Sequence, residues 1–206
     1  LARLDLLGVD TGDRGAVLAD MAEARIGDHT LAFTEMHNMM ILAREGRHES
    51  ADKLLASLQD FAQTPNNFAA ATMQPVAIPL CQAILAHANG DHGAVVETLL
   101  AIRYDLACVG GSHAQREVFE DTMLEAYIRA GQCKKAEDML RTRLNQRGSV
   151  RDTFWLGRVQ SAQGQTAEAT ANNTISPPSK LGESHNHQAI PAATVSAWPQ
   201  RIGEGI

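Results

Sequence analysis

Aromatic residues make up only 4% of this 206-residue chain. A core must therefore come mostly from Ala, Leu, Met and Val, all compatible with helices. The apolar fraction, 44%, is large enough to supply one. Basic blocks are missing, the net charge is −6 and the pI is about 5.7. Nothing resembles a phosphate-neutralising surface, which argues against a nucleic-acid partner. Cysteine is scarce: Cys81, Cys108 and Cys133 form no CxxC pair and cannot all pair with one another. The expectation is three reduced, buried, inert thiols in apolar helices, and with them a cytoplasmic location. The longest apolar run, around Met39–Ala43, is too short to cross a bilayer, so no membrane partner is expected. No signal peptide is present and the first residue is Leu1 rather than Met, as expected of a piece of a longer protein. Signatures of catalysis are absent as well: there is no GxGxxG, GxxxxGK, GxSxG or HExxH. No catalytic residue, metal or cofactor is therefore assigned.

What is present is a loose repeat. Gly46, Gly90, Gly131 and Gly164 each follow an amphipathic stretch, at spacings of 44, 41 and 33 residues. Five residues beyond each glycine stands Ala51, Val95, Ala136 or Ala169, small or β-branched in every case. Before Gly131, Phe119, Thr122, Met123, Ala126, Tyr127 and Ala130 recur with period 3.6, and Ala136, Met139, Leu140 and Leu144 continue after it. Similar stripes follow Gly46 (Ala51, Leu54, Leu55, Leu58, Phe61) and Gly90 (Val95, Leu99, Ile102, Leu106). The pattern predicts helices over 14–26, 29–45, 48–62, 76–89, 92–107, 114–130, 133–146 and 152–163, joined in about four hairpins. Glycine at the turn supplies a positive φ, and a small residue beyond it lets two helices approach closely.

Glycine in the turn with alanine five residues on resembles the tetratricopeptide repeat, as do Leu156-Gly157 ahead of Gly164 and Tyr127 ahead of Gly131. Longer stretches narrow the likeness: "LLGVDTGDR" at 6–14, "DHTLAFTEMHNMMILAREGR" at 28–47, "IPLCQAILAHANGDHGAVVETLLAIRYDL" at 78–106 and "GGSHAQREVFEDTMLEA" at 110–126. In this order and at these separations they resemble the tetratricopeptide repeat protein 38 family, over roughly residues 1–168. The resemblance implies an all-α, right-handed solenoid of antiparallel helical hairpins. It also implies a cytoplasmic protein with no established catalytic activity that transfers to named residues. Family members are longer on the N-terminal side, so this chain would be the later part of such a protein.

From about Thr170 the helical pattern stops, and four of the seven prolines lie beyond it. The expected organisation is a repeat domain over 1–168 and a disordered or aberrant tail over 169–206. The last hairpin then lacks most of its second helix, which leaves an uncovered apolar face and invites self-association.

The stretch "GGSHAQREVFE" at 110–120 allows three readings. A phosphate loop needs a preceding strand, yet the run before Gly110 has helical period. Ser112 and His113 are adjacent, so their side chains diverge and form no dyad. The third reading is a helix start. Ser112 and Gln115 form an S-x-x-Q capping box, Glu117, Glu120 and Asp121 sit near the positive helix end, and Arg129 sits near the negative end. His113 and Arg116, three apart on the first turn, have two equal readings: facing the solenoid groove toward a carboxylate or a partner peptide or, for Arg116, pairing with Glu120, its i+4 neighbour. His29 and His37 are read as eight apart in one helix, too far to share a metal unaided. His48, His87 and His92 are expected as solvated turn residues, and Met36, Met39 and Met40 as core. The leading expectation is a non-enzymatic module that binds a protein or peptide in a concave groove. The alternative is a small-molecule or metal-dependent enzyme whose site is assembled from His29, His37, His113 and Arg116.

Overall fold

Helical periodicity in the sequence is matched by helices throughout the computed structural model, which describes residues 1–65 and 69–164. In chain order these are α1 (Ala2–Leu6), α2 (Arg14–Glu23), α3 (Ala32–Arg44), α4 (His48–Ala62), α5 (Ala70–Thr72), α6 (Ile78–Ala88), α7 (His92–Ile102), α8 (His113–Arg129), α9 (Cys133–Gln146) and α10 (Val150–Ala162). A wide π-helical turn, Met73–Ala77, joins α5 to α6, and a 3-10 turn, Leu106–Val109, precedes α8. Pro75 and Pro79 cannot donate to a regular helical ladder, and the widened turn absorbs that defect. Among the described residues every regular element is helical, and no helix is long and apolar enough to cross a membrane. The expected boundary at 168/169, the tail and Ala169 lie outside the described residues.

Three of the repeating glycines close their helices in one way. Gly46, Gly90 and Gly131 have φ of 66°, 76° and 69°. The residue after each donates its N–H five residues back: Arg47 to Leu42, Asp91 to Ala86 and Gln132 to Tyr127, at 2.8–2.9 Å. This is the Schellman closure, which a left-handed residue at the glycine position makes possible. Ala51, Val95 and Ala136, five residues on, are fully buried.

Packing follows chain order. α2 lies on α3, α3 on α4 and α6, α6 on α7, α7 on α8, and α9 on α10. Met36, Met39, Leu42, Leu54, Leu80, Val95, Phe119, Leu124, Leu140 and Trp155 belong to one continuous core. Burying a single leucine or phenylalanine there contributes roughly 1.5–3 kcal/mol. α1 stands apart from this scheme: none of its five residues is buried, and it rests against α8.

Several expectations need correction. The helix expected over 29–45 begins at Ala32. His29 has φ 45° and Gly27 φ 101°, so the chain turns before the helix starts, and His29 and His37 do not share it. The helix expected over 92–107 ends at Ile102. Cys81 is buried, with Sγ 3.8 Å from Met36 Sδ, and burial pushes its thiol pKa far up. Cys108, however, is exposed and Cys133 half-buried. His48 is exposed as expected, whereas His87 and His92 are half-buried and meet edge to face at 5.8 Å. Met36 and Met39 are core, and Met40 is half-buried.

Candidate functional site

The start of α8 is fixed by its cap. Ser112 N–H donates to Gln115 Oε1 at 2.8 Å, and Gln115 N–H donates to Ser112 Oγ at 3.2 Å, both halves of the capping box. With the start fixed, Glu117, Asp121 and Glu125 fall four apart and form a row along one side of the helix. Arginines from elsewhere meet this row. Arg151 of α10 approaches Glu117 at 2.9 Å and Asp121 at 3.4 Å. Arg158, two turns further along α10, reaches Glu125 at 3.1 Å and lies over the Trp155 ring at 4.6 Å. Arg3 of α1 stands 3.7 Å from Glu117 and 3.6 Å from Asp121. Alongside, Arg143 of α9 pairs with Glu120 at 2.7 Å and with Asp152 at 3.0 Å.

Burial is severe enough to outweigh these partners. The Asp121 pKa is pushed up to about 6 by desolvation, against the pull of Arg151 and Arg3. Desolvation also raises Glu120 and Asp152, with Arg151 opposing it in both cases. Asp121 Oδ1 and Glu125 Oε2 are buried and accept no well-aligned hydrogen bond, although guanidinium groups lie within ion-pair distance. The acid row thus retains unused acceptor capacity.

α1 crosses one end of this row and is tied to three helices. Arg3 donates to the Ala114 carbonyl of α8 and pairs with the row. Arg44 of α3 donates to Asp5 at 2.5 Å and to Thr11 at 2.5 Å. Arg158 of α10 donates to the Leu6 carbonyl at 2.7 Å, where the free carbonyls at the end of α1 favour a cation. Beside α1 a half-open pocket of about 240 Å³ is lined by Ala2, Asp5 and Leu6 of α1 and by Met40, Arg44, Ile84, His87 and Thr122 from α3, α6 and α8. α3, α6, α8 and α10 therefore all contribute to the face that α1 covers. A separate cleft of about 590 Å³ opens between α7, α8 and α9, with Leu99, Phe119, Met123 and Met139 lining its apolar part and Arg103, Lys135 and Asp138 its charged part.

The four residues singled out in the sequence are held in different surroundings. His29 is buried before α3; its Nε2 lies 2.8 Å from Ser57 Oγ of α4, its Nδ1 3.6 Å from Glu35, and its ring stacks on Phe61 at 4.6 Å. Desolvation lowers the His29 pKa and raises that of Glu35. Ser57 sits inside α4, where its backbone N–H belongs to the helical ladder, so this Ser–His–Glu chain ties α4 to the turn before α3. His37 is exposed; its Nδ1 meets the Phe33 carbonyl at 2.8 Å and its ring packs beside Phe33 at 4.3 Å. His113, also exposed, lies 3.5 Å from Glu117, and borders a second polar recess with Arg143, Arg147 and Asp152. Arg116 does not make the pair with Glu120, one of its two readings. It turns back to the carbonyls of Gly110 and Gly111, while Arg143 and Arg151 hold Glu120. Phe33 fills the place a Cβ on Gly111 would need, with its ring 2.3 Å from that position. Among the described residues no three His, Cys, Asp or Glu side chains are grouped so as to hold a metal ion.

In the sequence, Glu117, Glu120 and Asp121 stand out only as a complement to the helix dipole. The missed signal was the fourfold spacing of 117, 121 and 125, set against arginines seven apart at 151 and 158. No family model matches the chain, and no solved structure matches it.

Proposed function

We propose that this chain is part of a helical-repeat protein of the tetratricopeptide repeat protein 38 family, and that it acts as a non-enzymatic module binding a protein or peptide. In this reading the helices stack as a right-handed solenoid of antiparallel hairpins. The concave face is the one to which α3, α6, α8 and α10 contribute. Three glycine turns closed by the same hydrogen bond support the hairpin repeat, and the chain-order packing of the helices supports the stack.

One observation carries the functional part. The acid row of α8 is contacted by α1, whose Arg3, Asp5 and Leu6 carbonyl meet side chains reaching from three helices while Ala2 and Leu6 pack on the core. A row of carboxylates and arginines that meets a neighbouring segment through charges and carbonyls has the chemistry of peptide recognition. Selection from a displayed peptide library against the full chain tests the reading. Peptides combining Arg or Lys with Leu should be enriched, and the enrichment should vanish with Glu117→Gln/Asp121→Asn. A selection that yields no such motif, or one indifferent to that double change, contradicts it.

A further inference from the structure

Independently of the peptide reading, we infer that the cleft between α7, α8 and α9 binds a small aromatic carboxylate, with its ring on the cleft floor and its head group between Arg103 and Lys135. The cleft holds about 590 Å³, a size typical of small-molecule sites.

The floor suits a ring. Leu99, Phe119, Met123 and Tyr127 belong to the core and are at most 4% exposed, so the floor is held rigid from below. Aromatics are scarce in this chain, yet both of its tyrosines, Tyr104 and Tyr127, line this cleft together with Phe119. Met123 and Met139 add soft sulfurs that pack well against aromatic edges. Tyr127 also brings a polar handle. Its side chain is almost wholly buried, and among the described residues no protein group hydrogen-bonds its hydroxyl. A buried phenol ordinarily has a partner. Burial raises its pKa against the pull of Arg103, which keeps the hydroxyl a donor at neutral pH.

The rim is positive once its own pairs are taken into account. Glu120 is held by Arg143 at 2.7 Å, and Asp138 by Lys134 at 2.9 Å. Arg103 lies over the Tyr104 ring at 4.3 Å and donates to the Tyr104 hydroxyl, while Lys135 donates to Gln132 Oε1 at 2.8 Å. These partners are neutral, and the guanidinium keeps further donors after such a bond. Both cations are exposed, and among the described residues neither has a carboxylate within ion-pair distance. Two uncompensated cations beside an apolar floor, in a chain of net charge −6, select an anionic head on an apolar body.

The probe is cinnamate, titrated calorimetrically into the full chain beside cinnamyl alcohol and cinnamylamine, which keep the ring and change the head group. The carboxylate should bind one site per chain, at least about tenfold tighter than either counterpart. Arg103→Glu/Lys135→Glu, two changes at exposed positions, should reverse the order so that the amine is preferred. Tyr127→Phe should weaken the carboxylate about threefold to tenfold, as loss of one hydrogen bond does. Lys53→Glu, an exposed charge change on α4, should leave the affinity within about twofold of the parent chain. Equal affinity for the three head groups would overturn the proposal, as would a carboxylate affinity unmoved by Arg103→Glu/Lys135→Glu. Absence of saturable binding to the folded parent chain would overturn it as well.

Discussion

The α6–α7 hairpin and the α8–α10 region are built on opposite principles. Between α6 and α7 the contacts are apolar: Ile78, Leu80, Ala83, Ile84, Val95, Val96, Leu99 and Ile102 are all buried. In the second region Asp121, Glu125, Glu137 and Asp152 are buried too, and arginines from α1, α9 and α10 serve them. Hydrophobic burial is non-directional and is not screened by salt as ion pairs are. Buried ion pairs contribute little net stability, because desolvation offsets attraction, but they fix which group sits where. The first region holds the molecule together, and the second fixes which charged groups face one another.

The largest effect should come from the apolar hairpin. Leu80→Ala removes a fully buried side chain and should lower unfolding free energy by ~3 kcal/mol in urea denaturation, equally at low and high salt. A strong salt dependence would break the comparison.

Next comes a pH effect confined to the ionic region. Asp121 keeps its proton up to about pH 6 in the folded chain, against an ordinary value of 3.8. The folded state therefore binds more protons between those values. The stability this confers is complete below the lower value and lost as pH rises through the higher one. From pH 4 to 7, Asp121→Asn should gain stability relative to the parent chain by up to ~3 kcal/mol, read from denaturation at each pH. A parallel pair of pH curves would refute the burial of that charge.

Arg151→Ala leaves Glu117, Asp121 and Asp152 short of a partner. It should cost ~2 kcal/mol, less than a fully buried pair because the arginine is partly exposed. Gly131→Ala forces a side chain into left-handed backbone and should cost ~1 kcal/mol by thermal denaturation. Lys53→Ala removes only an exposed i,i+4 pair with Glu49 and should leave the melting temperature unchanged.

How much of this was legible in the sequence depended on how local the cause was. The glycine turns and the Ser112–Gln115 cap are decided within six residues, and the structure bears both out. Of the two readings of Arg116, the pair with Glu120 fails because Arg143 and Arg151, arriving from other helices, claim that carboxylate. The helix expected from His29 starts three residues later, at Ala32, because His29 holds φ 45° and Leu31 is extended, which a periodic stripe does not reveal. α1 could not be read at all: five residues carry too little periodicity, and its ties span sequence separations of 111 and 152 residues. Contacts of that kind exist only after the helices have stacked. The candidate site is assembled from such contacts, which is why the fold was easier to read than the site.

Urea denaturation of the parent chain, Leu80→Ala and Arg151→Ala at low and high salt bears most directly on the contrast between the apolar and the ionic region. The account predicts that 1 M salt shrinks the cost of Arg151→Ala and leaves that of Leu80→Ala nearly unchanged. Equal salt dependence of the two costs would contradict it.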